Sequence, residues 1–259
     1  FLIGGRRSYA HLFLKLSEEP KNNSAYFYDL NTKLSYKLDS NNSLYLSGYF
    51  GRDVFSLNKS FTNIYGNATL NLRWNHLFSE KLFSNLSLIY SDYYYGLDLD
   101  FVGFKWDSGI RNYNIKYDFK NYISDKFKLN YGVNGIYYEF NPGTIKPSDE
   151  NSGINFDQLD KKYAFEPALY INADHEISNR IALSYGLRYS MFYRLGQSTV
   201  NIYADNNPVT FNSALQIYEK ATPIGTKFYD RNKVMQSYNY LEPRFSLAYQ
   251  INEEESIKA

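Results

Sequence analysis

From Ala25 to Leu38 the even positions are Tyr26, Tyr28, Leu30, Thr32, Leu34, Tyr36 and Leu38, and the odd ones include Asp29, Asn31, Lys33, Ser35 and Lys37. A period of two puts alternate side chains on opposite faces of a β-strand, so this segment predicts a strand with one apolar and one water-compatible face. After Asp39-Ser40-Asn41-Asn42 the pattern resumes, with Leu44, Leu46 and Phe50 against Ser43, Ser47 and Asp53. A polar turn between two such runs reads as a hairpin.

The same pattern fills most of the chain. Ala68, Leu70, Leu72 and Trp74 alternate with Asn67, Thr69, Asn71, Arg73 and Asn75, and Leu86, Leu88 and Tyr90 with Asn85, Ser87 and Ser91. Farther on, Tyr113, Ile115, Tyr117 and Phe119 face away from Asn112, Asn114, Lys116, Asp118 and Lys120. The segments around Leu129–Val133, Phe165–Ala173, Ile181–Tyr189 and Leu241–Ile251 repeat it. About eleven strands are predicted, the first and last incomplete, many at or above the about 9–11 residues of a tilted membrane strand.

The connections are unequal. Asp39–Asn42, Ser79–Lys81, Ser124–Lys126, Ser178–Arg180 and Asn252–Glu255 are tight, whereas Asn141–Asp160 and Gly196–Gln236 are long and rich in Pro, Gly, Asn and Asp. Short turns at one rim and long loops at the other suit the periplasmic and extracellular ends of an outer-membrane barrel. No window reaches the about 18 apolar residues of a spanning helix. A chain of this kind can cross a membrane only as a closed barrel, which satisfies its backbone without water.

Composition supports the same reading. Aromatic residues make up 19% of the 259 residues, with 28 Tyr and 19 Phe, while mean hydropathy is −0.51. Tyrosine, apolar in its ring and polar at its tip, suits a hydrocarbon–water boundary. Tyr26, Phe27, Tyr28, Tyr93, Tyr94, Tyr95, Tyr137, Tyr138, Tyr238 and Tyr240 fall near the long-loop ends, and Trp74, Phe78, Tyr122, Phe127 and Tyr249 near the short turns. They predict two belts. A net charge of +1 offers no basic field for nucleic acid. The lack of Cys removes disulfides and thiolate chemistry. A β-propeller would place about four short strands in 40–45 residues, where this chain places two long ones. A sandwich or jelly roll would have shorter strands and an aliphatic inner face.

FLIGGRRSY, the hairpin continuing into SGYFGRDVF, GNATLNLRWNHLFSEKLFSNLSLIYS and YLEPRFSLAY together resemble TonB-dependent outer-membrane receptors of the Bacteroidota type. The resemblance runs through essentially the whole chain. It implies an all-β, antiparallel up-and-down transmembrane barrel of about 22 strands filled by a plug, of which residues 1–259 are about half, truncated at both ends, with the plug outside this chain. It implies import of a scarce ligand with energy from the TonB complex through that plug, outer-membrane lipid around the wall, and a surface lipoprotein as a possible partner. The ligand is an open choice among small molecule, glycan and peptide. The rival readings are a passive porin or structural barrel, and a soluble exported binding protein.

Few residues suggest chemistry. Tyr93, Tyr94, Tyr95 and Trp106 are read as loop residues that stack on a sugar or hold a peptide. Arg6 and Arg7 are read as facing the plug, with ordinary lumen charge the competing explanation. Asp98 and Asp100 alternate like cation ligands, but a solvated loop explains them better. His11, His76 and His175 lack metal-like spacing, and the latter two suit interfacial anchors. Glu166-Pro167 and Glu242-Pro243 each put an acid on the polar phase and a strand-ending Pro on the apolar one. Sequons at Asn58 and Asn67 are chance matches. With no nucleophile elbow, phosphate loop or HExxH motif, no enzyme, cofactor or metal is expected.

Overall fold

The computed structural model describes residues 1–10, 12, 23–58 and 60–258; His11 lies outside them. The hairpins read from the alternation join into one antiparallel twelve-stranded sheet. Its first seven strands are β1 (Leu2–Arg7), β2 (Ser24–Lys37), β3 (Asn42–Leu57), β4 (Phe61–Ser79), β5 (Leu82–Leu99), β6 (Phe104–Ser124) and β7 (Phe127–Pro147). The two-residue β8 (Asp157–Gln158) folds back on β7, and β9 (Lys162–Ser178) and β10 (Ile181–Leu195) follow. β15 (Val234–Gln250) and β16 (Ser256–Lys258) complete it. Neighbours in sequence are neighbours in the sheet, and its two edges do not meet. The fold is all-β, an up-and-down transmembrane barrel wall, open here.

Between β10 and β15 lies an arm of four short strands. β11 (Ser198–Ile202) pairs with β14 (Gly225–Tyr229), and β12 (Val209–Asn212) with β13 (Ile217–Lys220). They stand where the sequence predicts a long loop over Gly196–Gln236. Val200, Ile202, Phe211, Ile217 and Phe228 supply β-favouring side chains, but each run is too short for its periodicity to stand out. Likewise β7 continues to Pro147, past the expected loop start at Asn141.

Register fixes which residues share a face. Leu34 pairs with Leu46, Leu46 with Leu72, Leu72 with Leu88, and Leu88 with Ile115. The row continues through Gly135 to Pro167. We call this side outward. No charged residue occupies the outward positions of Tyr28–Tyr36, Leu44–Phe50, Ala68–Trp74, Leu86–Tyr90, Tyr113–Phe119, Leu129–Tyr137, Phe165–Ala173, Leu183–Tyr193 or Leu241–Tyr249. On the longer of these runs the band is about nine residues tall, the span a tilted strand needs for hydrocarbon. Arg52, Asp92, Arg111 and Glu139 lie just beyond its upper edge.

The sheet has no packed second layer among the described residues. Among the described residues the buried apolar side chains are only Tyr163, Ala164, Ala168, Ala173 and Leu195, while Leu34, Leu70, Leu88, Ile115, Leu169, Leu187 and Phe245 are exposed. An apolar face this wide on a soluble chain would be an association patch far larger than monomers carry. Lipid is the solvent that matches it. Among the described residues no helix is long and apolar enough to cross a membrane.

At the short-turn end, Trp74 Nε1 donates to Asn42 Oδ1 at 3.0 Å, and His76 Nδ1 lies 2.7 Å from the same oxygen. His76 packs edge-on to Phe78, and His175 to Phe127. These rings form the lower outward girdle. In the first turn, Asp39 Oδ1 accepts from the backbone N–H of Asn41 at 2.7 Å and of Asn42 at 2.8 Å. The Asn41 bond, then that of the Asn42 side chain, holds the Asp39 carboxyl below its ordinary range. A depressed carboxylate stabilises the turn above its unfolded value of about 3.9 and loses that contribution as pH falls through the folded value. A carboxyl NMR titration of Asp39 in the folded protein is expected to show a midpoint below the about 3.9 of an unfolded aspartate; a midpoint at or above that value would remove the turn's role.

One glycine sets a close approach. Gly132 pairs with Asp118 on one side and Tyr170 on the other, and the Tyr170 hydroxyl crosses it to bond Asp118. A Cβ at Gly132 would collide with the Tyr117 carbonyl oxygen and approach the Tyr170 hydroxyl to 2.7 Å. Gly132→Val is therefore expected to cost about 1–3 kcal/mol, read as a lower denaturant midpoint for the assembled barrel. An unchanged midpoint would show that the two strands can part there.

Candidate functional site

Consecutive strand residues face opposite ways, so a triplet of tyrosines cannot act as one patch. Tyr95 pairs with Tyr65 and Ser108, which puts it on the inward face; Tyr93, paired with Asn67 and Ile110, is inward as well. Tyr94, paired with Gly66 and Gly109, is outward and lies over Gly96. Trp106 pairs with Leu97 and is inward. All four are strand residues, because β5 and β6 are joined only by the short 3-10 turn Asp100–Val102 and Gly103. This corrects their reading as loop residues: the strands run on above the lipid band.

The structure brings Tyr95 and Trp106 together and adds a residue that the sequence reading missed. Tyr65 and Tyr95 have ring centroids 5.1 Å apart, and Tyr95 meets Trp106 edge-on at 5.3 Å. Asn63 Nδ2 donates to the Tyr95 hydroxyl at 3.3 Å, and its Oδ1 is buried without a hydrogen-bond partner. The indole of Trp106 lies against Gly143 so closely that a Cβ there would strike Nε1. Gly143 thus seats the indole, and the indole backs the two phenols. Asp53 stands beside Tyr65 in the same inward row, with Phe27 next to it.

The inward rings continue across the sheet. Tyr138 and Phe140 stack at 5.6 Å, and Phe192 lies 6.4 Å from Tyr238. Phe192, Tyr238 and Tyr240 line an inward cavity of about 460 Å³ together with Glu166, Arg188, Ser190 and Glu242. In it Ser190 Oγ donates to Glu242 Oε1 at 2.6 Å, Arg244 reaches Glu242 Oε2 at 3.4 Å, and Tyr138 donates to Glu166 at 3.3 Å. The predicted upper belt is therefore split. Tyr26, Tyr28, Tyr94 and Tyr137 face outward, while Phe27, Tyr93, Tyr95, Tyr138, Tyr238 and Tyr240 form an inward collar. Parity along each strand, rather than distance from its end, divides these rings between the two faces.

Below the collar the inward wall is polar. Asn71, Asn75, Asn85 and Asn114 each bury a side-chain oxygen that has no hydrogen-bond partner, as does Arg73 its Nε, although the Arg73 guanidinium lies 4.7 Å from the Tyr45 ring centroid. Lys116 and Arg188 lie on either side of Tyr170, 5.9 and 5.6 Å from its ring. Such groups need water or another surface against them.

Arg6 and Arg7 do not act together. Arg6 is inward and its Nε donates to Asp29 Oδ2 at 2.5 Å. Arg7 pairs with Tyr28 and lies outward, 5.8 Å from the rings of Tyr9 and Tyr26. Of the two, Arg6 alone lies on the inward face. Asp98 is a strand residue on the outward side with Lys105 Nζ at 3.3 Å, so that carboxylate already has its cation.

No protein-family model matches the chain, and no curated protein matches it. Among solved structures it is similar to a double mutant of the Serratia marcescens hemophore receptor HasR in complex with its hemophore HasA and heme, at 15% identity and a TM-score of 0.62. That match covers 89% of this chain and 34% of HasR. The siderophore receptor PiuA of Acinetobacter baumannii matches at 9% identity and a TM-score of 0.61, over 97% of this chain and 43% of PiuA. The copper transporter OprC matches at 10% and 0.60, over 90% of this chain and 35% of OprC. This chain spans less than half of each. Their shared fold is its fold, and all three are receptors or transporters rather than enzymes.

Proposed function

We propose that the chain is part of the wall of a TonB-dependent outer-membrane receptor, of the Bacteroidota type, that binds a scarce ligand and imports it. The fold shared with a hemophore receptor, a siderophore receptor and a copper transporter supports this. The observation that carries it is the inward aromatic collar at the end that bears the long β7–β9 and β10–β15 connections. A passive pore gains nothing from preorganised rings at its mouth, whereas a receptor uses rigid aromatic surface to hold a ligand at low entropic cost.

Under this reading the collar captures the ligand, a plug elsewhere in the protein meets the unpaired asparagines, Arg73 and Arg6, and the TonB complex moves the plug to open the polar interior. A ligand with a stackable face, whether a glycan, a peptide or another small molecule, suits Tyr65, Tyr95 and Trp106. A surface lipoprotein would dock on the long-connection side, where the arm presents Tyr218 and Phe211.

The test is ligand uptake by cells carrying the full-length protein, with and without an energised inner membrane. Uptake that stops on de-energisation while surface binding persists is expected. Uptake that continues unchanged would make this a passive pore.

A further inference from the structure

A second cavity lies on the other side of the wall. It has a volume of about 500 Å³ and is lined by Gln158, Asp160, Lys161, Tyr163, Gln197, Ser198, Thr199 and Phe228, among others. Its floor belongs to the outward face. Tyr163 stacks with the outward Tyr137 at 6.3 Å, and Lys161 Nζ donates to the outward Glu139 at 2.6 Å. Its far wall is the foot of the arm, β11 and β14. That foot is fastened by Tyr137 donating to Asn232 Oδ1 at 2.8 Å and by the Arg231 guanidinium over the Tyr163 ring at 5.0 Å. The cavity is thus held open by contacts between separate elements, just above the apolar band.

The lining specifies a chemistry. Two carboxamides, a carboxylate and two hydroxyls make the lining richer in acceptors than in donors, which suits a ligand that presents hydroxyl donors, and Tyr163 and Phe228 add apolar ring surface. Lys161 is matched by Glu139, and Asp160 adds a negative charge to the lining, so the cavity disfavours a phosphate or a carboxylate. The volume falls in the about 300–1,000 Å³ range of small-molecule sites. Neutral ligands dense in hydroxyls, with C–H faces for rings, are sugars.

We propose that this outward cavity binds an oligosaccharide, as the headgroup of a glycolipid in the surrounding leaflet or as a free glycan. This rests on the membrane placement given under the proposed function but not on import. Sites of this kind lose about tenfold in affinity for each well-made hydrogen bond removed.

The test uses the full-length protein in detergent with two probes, micelles of a neutral glycolipid and the lipid-free oligosaccharide cleaved from them. Saturable binding of either is expected, weakened about tenfold or more in Gln158→Ala/Gln197→Ala and abolished in Thr199→Trp, which fills the cavity. Binding of the free oligosaccharide assigns the source to a glycan, and binding only of the micelles to a lipid. The heat-modifiable gel shift of the closed barrel reports folding. No saturable binding, or full binding by both folded variants, would overturn the proposal. Sugar binding without energised uptake would instead sink the import reading and leave this site standing.

Discussion

Leu70→Arg in the full-length protein is expected to block or severely slow barrel assembly, whereas Asn71→Arg, one residue away, is tolerated. Leu70 lies in the middle of the outward band and is half exposed, with Gly48 and Tyr90 as its cross-strand partners. An arginine at the midplane of a lipid-facing strand costs about 2–4 kcal/mol, a large part of a typical net stability of about 5–15 kcal/mol. Asn71 faces the polar interior, where a cation joins Arg73 in a wetted space. The readout is the fraction of protein that reaches the outer membrane in heat-modifiable form. Equal assembly of the two variants would mean that the outward face is not in hydrocarbon.

The second large effect concerns the collar. Trp106→Ala and Tyr95→Ala are each expected to lower apparent ligand affinity in the uptake assay by about 10- to 100-fold, or about 1.4–2.7 kcal/mol. Tyr94→Ala should change it little. The contrast follows from parity alone, since Tyr94 and Tyr95 are adjacent but occupy opposite faces. Gly143→Val should reproduce the Trp106 phenotype without removing a ring, because its side chain occupies the seat of the indole. If Tyr94→Ala proved as damaging as Tyr95→Ala, the ligand would not be meeting the inward face.

Much of this architecture was legible without coordinates, for a physical reason. A strand between two different solvents writes its environment into every second residue, so Leu30, Leu34, Leu46, Leu72 and Leu88 announce one face and Asn31, Ser35, Ser47, Asn71 and Ser87 the other. Tight turns were legible through Asp39, Ser79, Ser124 and Ser178, whose side chains accept from backbone N–H groups two or three residues on. The site was less legible. Runs such as Tyr93-Tyr94-Tyr95 look like one feature when scanned for composition, and Arg6-Arg7 like one charge cluster, although pleating divides both. Tyr65, Asn63 and Gly143 come from strands whose lateral contacts depend on register, which no local pattern reports. The arm between β10 and β15 escaped because its strands are four or five residues long, too few periods to separate from a loop.

The most direct test of the lipid-wetted outer face uses the absence of Cys from this sequence. Single cysteines placed at Leu34, Leu70 and Leu183, and at their inward neighbours Ser35, Asn71 and Ser184, can carry spin labels in the membrane-embedded full-length protein. Relaxation by oxygen should dominate at Leu34, Leu70 and Leu183, with little effect from a water-soluble nickel chelate, and their inward neighbours should lack that oxygen preference. Nickel access at the three leucine positions, or labels immobilised there by tight protein packing, would contradict a lipid-facing wall and with it the receptor built upon it.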